Sequence, residues 1–125
     1  MMSKTDYENV TKDVCKYFSE RIDKAKSFGI NDIIIDPGFG FSKTTKQNYE
    51  LFNNLEFFKE FERPIIIGIS RKSMIYKILN TTPEKALNGS SVLHTISLMK
   101  GANILRTHDV KEALECVKIV SQLNG

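Results

Sequence analysis

Residues 64–79, "PIIIGISRKSMIYKIL", pass from an apolar run through two adjacent cations into a helix-like pattern. The run "PIIIGIS" (64–70) does not alternate apolar with polar, so it predicts a short strand buried on both faces, as in parallel sheets. A helix is expected from about Lys72 to Leu79. Arg71 and Lys72 then lie at a helix start, where cations oppose the helix dipole at a cost of roughly 0.3–1 kcal/mol. Either they are solvated or salt-bridged to a neighbouring helix, or they line a pocket that holds something polar or anionic.

The same unit recurs on both sides. Between Asp6 and Phe28, Val10, Val14, Phe18, Ile22 and Ala25 recur at helical spacing, one face of a helix closed by Gly29. "DIIID" (32–36) predicts a second strand buried on both faces. The glycine loop "PGFGFSKTT" leads into a helix with Thr45 as N-cap and Leu51, Leu55 and Phe58 as its stripe. Downstream, Thr82 and Pro83 open a helix that runs to Lys100 and stops at Gly101. "NILRT" (103–107) is the third strand, and Asp109 with Glu112 predicts a capping box for a last helix to about Leu123.

The strands end at Asp36, Ser70 and Thr107, 34 and 37 residues apart. Equal strand-then-helix units with apolar strands imply a parallel sheet with helical crossovers. Polar residues gather just past each strand: Asp36, then Ser70-Arg71-Lys72, then Arg106 and His108-Asp109. That edge is where ligands bind in parallel α/β proteins, whether the sheet is open or a (β/α)8 barrel.

Composition narrows the classes. With 125 residues, 41% hydrophobic and 26% charged, the chain has a one-domain length and can bury a core. Eighteen basic against fifteen acidic side chains give +3, too mild and too interspersed for a nucleic-acid footprint. The N-terminal "MMSKTDYENV" has no apolar signal core, and no stretch approaches the ~20 apolar residues of a membrane span. Cys15 and Cys116 lie in helical patterns with no CxxC and no His at ligand spacing. They read as packed thiols of a reducing compartment, so a cytoplasmic location is expected.

"DPGFGFSKTT" is neither of the nucleotide motifs it suggests. A P-loop needs glycine where Ser42 precedes Lys43 and Thr44, and a dinucleotide fingerprint needs a third glycine beyond Gly38 and Gly40. What remains is a tight turn open to close backbone approach, with Asp36 either capping it or facing a ligand. Arg106 and His108 alternate along one strand, which sends both to one face as a phosphate or pyrophosphate clamp. Phe39, Phe52, Phe57, Phe58 and Phe61 are expected in the core, and Phe41, in the glycine loop, could wall a pocket. His94 and Met99 read as packing or surface.

Taken together, "DIIIDPGFGFSKTTKQNYELF", "PIIIGISRKSMI" and "GANILRTHDVKEAL" resemble the dihydropteroate synthase family, in order and with matching spacing from about Tyr7. The resemblance implies the C-terminal portion of a (β/α)8 barrel, about three parallel strands with their helices, forming one partial pterin-binding domain over 1–125. It implies a transferase of folate biosynthesis that joins p-aminobenzoate to a dihydropterin carrying a methylene diphosphate. Pterin would be bound by Asp36, Gly68, Lys72 and Arg106. The p-aminobenzoate site would draw on Phe41, Ser70, Arg71, Lys72 and Ser73, with Ser73 and the helix N-terminus meeting the carboxylate. Diphosphate would be held by Arg106, Thr107 and His108, and catalysis would rest on Lys72, Arg106 and His108. Mg2+ assists diphosphate departure in the family; its ligand is expected in N-terminal barrel units absent from this sequence, and none in this chain. A homodimer is expected, with no nucleic-acid or membrane partner. This chain alone is expected to be inactive, and the alternative is a non-catalytic remnant limited to pterin binding or dimer contacts.

Overall fold

A computed structural model describes residues 9–40 and 42–124. Helix α1 (Val10–Ser27) starts at Asn9, whose side chain accepts the Lys12 N–H, and buries Val10, Val14 and Phe18 as the spacing predicts. The expected start at Asp6 lies outside the described residues. Gly29 (φ +81°) and Gly101 (φ +110°) occupy the left-handed region after their helices, which a side chain would resist.

Helix α2 (Thr45–Asn53) begins one residue earlier than predicted at its cap. Thr44 is the N-cap, because Gln47 three residues on completes a reciprocal capping box with it. A 3-10 segment, Leu55–Phe61, carries the stripe onward, and Leu51, Leu55 and Phe58 are all buried. Phe57 departs from expectation: it is 54% exposed, while Phe39, Phe52 and Phe58 are buried.

The paired strands are shorter than predicted. β1 is Ile66–Ile67 and β2 is Ile104–Leu105, parallel with Ile66 opposite Ile104. "DIIID" contributes one parallel bridge, Ile35 to Ile65, rather than a full strand. The order is nevertheless sequential: Ile66 N–H donates to Ile35 O, and Arg106 N–H donates to Ile67 O. Burial on both faces fails at 32–36, where Ile35 is buried but Ile34 is 56% exposed, since nothing among the described residues covers its outer side.

Past β1 the backbone turns sharply, with Arg71 at φ +55°, into a single-turn helix α3 (Ser73–Tyr76) capped at Lys72. The helix expected to Leu79 is assigned as one turn, although Lys77 N–H still donates to Ser73 O and Leu79 N–H to Ile75 O. A 3-10 turn, Pro83–Lys85, precedes α4 (Leu87–Met99), which packs on α5 (Val110–Asn124). His94 of α4 is buried and Met99 is exposed. Cys15 and Cys116 are both free thiols, half-buried and buried, and Cys116 Sγ lies 3.6 Å from Ser91 O. No helix among the described residues is long and apolar enough to cross a membrane.

Candidate functional site

The three strand ends bring Asp36, Lys72 and Arg106 together. Asp36 Oδ1 accepts from Gly38 N–H at 3.0 Å, the turn-forming role, while Oδ2 faces the Arg106 guanidinium at 3.3 Å. Arg106 lies across Gly68: a Cβ there would come within 2.3 Å of its Nη2, so only glycine leaves this path open. Lys72 Nζ donates to Phe39 O at 2.5 Å and thereby ties the end of β1 to the glycine loop. Burial holds Lys72 below the ordinary lysine value and Arg106 adds to this, with Asp36 offsetting part of it. A cavity of about 420 Å³ is lined by Asp36, Gly38, Phe39, Lys43 and Lys72 against Tyr17 and Phe18 of α1.

His108 sits beside Ser70. Ser70 Oγ accepts the His108 backbone N–H at 3.1 Å and lies 2.9 Å from Nδ1. In the tautomer that carries its proton on Nε2, the Ser70 hydroxyl donates to Nδ1 and Nε2–H is a donor toward solvent or an anion. Arg106 and His108 are both exposed on the rim, as their alternation predicts. Gly68, Ser70, Ser73, Arg106, Thr107 and His108 all lie outside the lining of the cavity that holds Asp36 and Lys72.

Two residues sit differently from their expected neighbours. Arg71 bonds both carboxylate oxygens of Asp109 at 2.9 Å, through Nε and Nη2, and donates from Nη1 to Pro83 O and Glu84 O. Its hydrogen bond to Asp109 lowers the Asp109 carboxyl and raises the guanidinium. Arg71 is thus the salt bridge to a neighbouring helix, and the Asp109 carboxylate serves it instead of capping α5. Thr107 turns the other way from Arg106 and His108: its Oγ1 accepts from Asp109 N–H at 2.9 Å, beside an apolar groove with Val110 and Leu114. Phe41 lies outside the described residues.

Sequence reasoning missed Lys43 and Asn48. Lys43 is 8% exposed, and its Nζ donates to Gly38 O at 2.5 Å. Burial lowers its ammonium, Lys72 lowers it further, and Asp36 partly restores it. Asn48, 2% exposed, grips Gly40 at both ends, accepting from its N–H and donating to its C=O, each at 3.2 Å. The available signal was an Asn on the apolar stripe of α2, three and four residues before Leu51 and Phe52.

Sequential parallel strands with polar residues at their C-terminal ends define an α/β protein whose candidate site sits on the carboxyl rim of the sheet. The chain belongs to the pterin binding enzyme family, whose profile matches residues 1–108. Dihydropteroate synthase of Escherichia coli K12 is 41% identical over 122 residues, 96% of this chain and 43% of that protein. The crystal structure of Yersinia pestis dihydropteroate synthase superposes with a TM-score of 0.93 at 36% identity, covering 99% of this chain and 52% of that one. A Xanthomonas albilineans dihydropteroate synthase solved with 4-aminobenzoic acid gives 0.91 at 33% identity, covering 95% and 45%. The chain therefore spans about half the length of these relatives, and its three-strand order is that of part of a (β/α)8 barrel.

Proposed function

We propose that this chain forms the C-terminal rim of a dihydropteroate synthase site, on one observation above the others. Lys72 Nζ reaches the glycine loop next to Asp36 while Arg106 closes on the same carboxylate. Asp36 would accept from the amino-pyrimidine edge of the pterin, replacing the long Arg106 contact with better-aligned donors. Lys72 would bond the pterin ring and line the p-aminobenzoate site with Ser70 and Ser73. Arg71 would act from behind by holding the 71–72 turn against Asp109. Arg106 and His108 Nε2 would take the diphosphate oxygens.

In the reaction the bond from the pterin methylene carbon to diphosphate oxygen breaks, and the electron pair leaves with diphosphate. The p-aminobenzoate nitrogen lone pair forms the new C–N bond, and that nitrogen loses a proton to water. The residues of this chain stabilise the developing diphosphate charge and position a neutral nucleophile. They do not fit Mg2+ by themselves. Among the described residues no cluster of three metal-ligating side chains exists, and Asp36 is shared by Arg106 and Gly38. The exposed apolar positions Val92, Ile96 and Met99 of α4, with Ile119 and Leu123 of α5, support the expected homodimer.

The test is incorporation of labelled p-aminobenzoate into dihydropteroate. This chain alone should give none with Mg2+ and both substrates present, because the opposite wall of the rim is absent. Supplying the remaining barrel units from the Escherichia coli relative should give turnover. Robust turnover by the chain alone, or none from a soluble co-folded pair, would overturn this reading, the second outcome favouring a non-catalytic remnant.

Gly68→Ala offers a finer check in the completed barrel. The added Cβ pushes the flexible end of Arg106 aside, so the fold should survive. Pyrophosphate should bind about tenfold more weakly, the scale of one charged hydrogen bond. Unchanged pyrophosphate affinity by calorimetry would remove Arg106 from the diphosphate site.

A further inference from the structure

Besides the Lys43 N–H bond to Gly40 O, the backbone of the glycine loop is held by side chains. Asp36 takes Gly38 N–H, Lys43 takes Gly38 O, Lys72 takes Phe39 O, and Asn48 takes both polar groups of Gly40. Of these four anchors, Lys43 comes from the loop and Asn48 from α2, while Asp36 stands at the strand end that opens the loop. Lys72 alone reaches in from the end of β1, and it is also the group assigned to both substrates.

Lys43 and Lys72 thus bind consecutive carbonyls of one turn, from different elements. An ammonium as buried as Lys43, bonded among the described residues to a carbonyl and to no carboxylate, is costly to keep. Methionine would retain most of its stem without that cost. What the charge adds is a strong donor on Gly38 O, one peptide away from the carbonyl that Lys72 holds. We propose that Lys43 is a positioning residue for the site: it fixes the glycine loop independently of Lys72, so that Lys72 can turn to a bound pterin without the loop following. This deepens the dihydropteroate synthase reading and rests on it for the ligand, though not for the loop.

The two parts are tested separately. Amide hydrogen exchange at Gly38 and Gly40 is measured by NMR without ligand, in this chain and with the remaining barrel units supplied. Lys43→Met and Lys43→Gln should speed exchange by about tenfold, while Lys72→Met changes it much less and Lys43→Arg keeps the wild-type rate. Equal effects from the lysines at 43 and 72, no effect at 43, or no rescue by arginine would overturn the proposal. In the completed barrel, binding of 6-hydroxymethylpterin should fall about tenfold in Lys43→Met but change little when Lys72→Met is already present, the coupling of a residue that acts through another. Additive losses would reduce Lys43 to a general structural role. Absence of pterin binding by the wild-type barrel would instead sink the functional reading and leave the exchange comparison to judge the loop.

Discussion

Lys72→Ala is expected to lower kcat in the completed barrel by about 10²–10³, the loss typical of removing one preorganised donor aimed at developing charge. Lys72 is the only cation of the strand-end set that both lines the cavity beside Asp36 and crosses to the glycine loop. Its removal would take away the donor proposed for both substrates and unpin Phe39 O. Because the side chain is half-buried and its ammonium is already disfavoured by burial, thermal stability should change far less than turnover. Steady-state kinetics with a melting control would decide the matter. Near-normal kcat in a folded variant would remove Lys72 from the mechanism and leave it a loop tie.

His94→Leu is expected to stabilise the protein by about 1–3 kcal/mol at neutral pH, the cost of a buried polar group without a partner. Among the described residues neither ring nitrogen of His94 has a hydrogen-bond partner, and the residue is 2% exposed. Burial lowers the imidazole from its ordinary 6.5, and Asp109 opposes this only in part. The folded chain therefore refuses a proton that the unfolded chain accepts below 6.5. Wild-type stability should fall as pH drops from that value toward the lowered folded one, and the leucine variant should lack this component. Urea unfolding of both proteins above and below the ordinary histidine value measures it. Parallel pH profiles, or a destabilised variant, would show that His94 finds a partner in solution.

The elements that were legible are those whose signal is local. The α1 stripe of Val10, Val14 and Phe18, the stop glycines at 29 and 101, and the apolar run at 65–69 each report interactions within a few residues. The one-residue error at the α2 cap is of the same kind: Thr44 and Thr45 are alike as residue types, and only the glutamine at 47 selects between them. Asp36, Lys72, Arg106 and His108 could be named because a parallel unit places its polar residues just past the strand.

By itself, then, the sequence determined the alternation of strand and helix, the parallel order, and which polar residues reach the carboxyl rim. Tertiary structure alone decided their partners. Arg71 and Asp109 are 38 residues apart, as are Ser70 and His108, and no local period relates them. Packing of the segment after β2 against α5 places Thr107 beside the apolar groove, and the turn at Arg71 carries its guanidinium to Asp109. Burial of Lys43 and His94 likewise depends on which surfaces meet, since each looks from its own neighbours like an ordinary polar residue on a loop or helix, whereas Asn48 stands on the apolar stripe of α2. Local periodicity encodes which face is apolar; what a polar group touches is set only when that face closes on another.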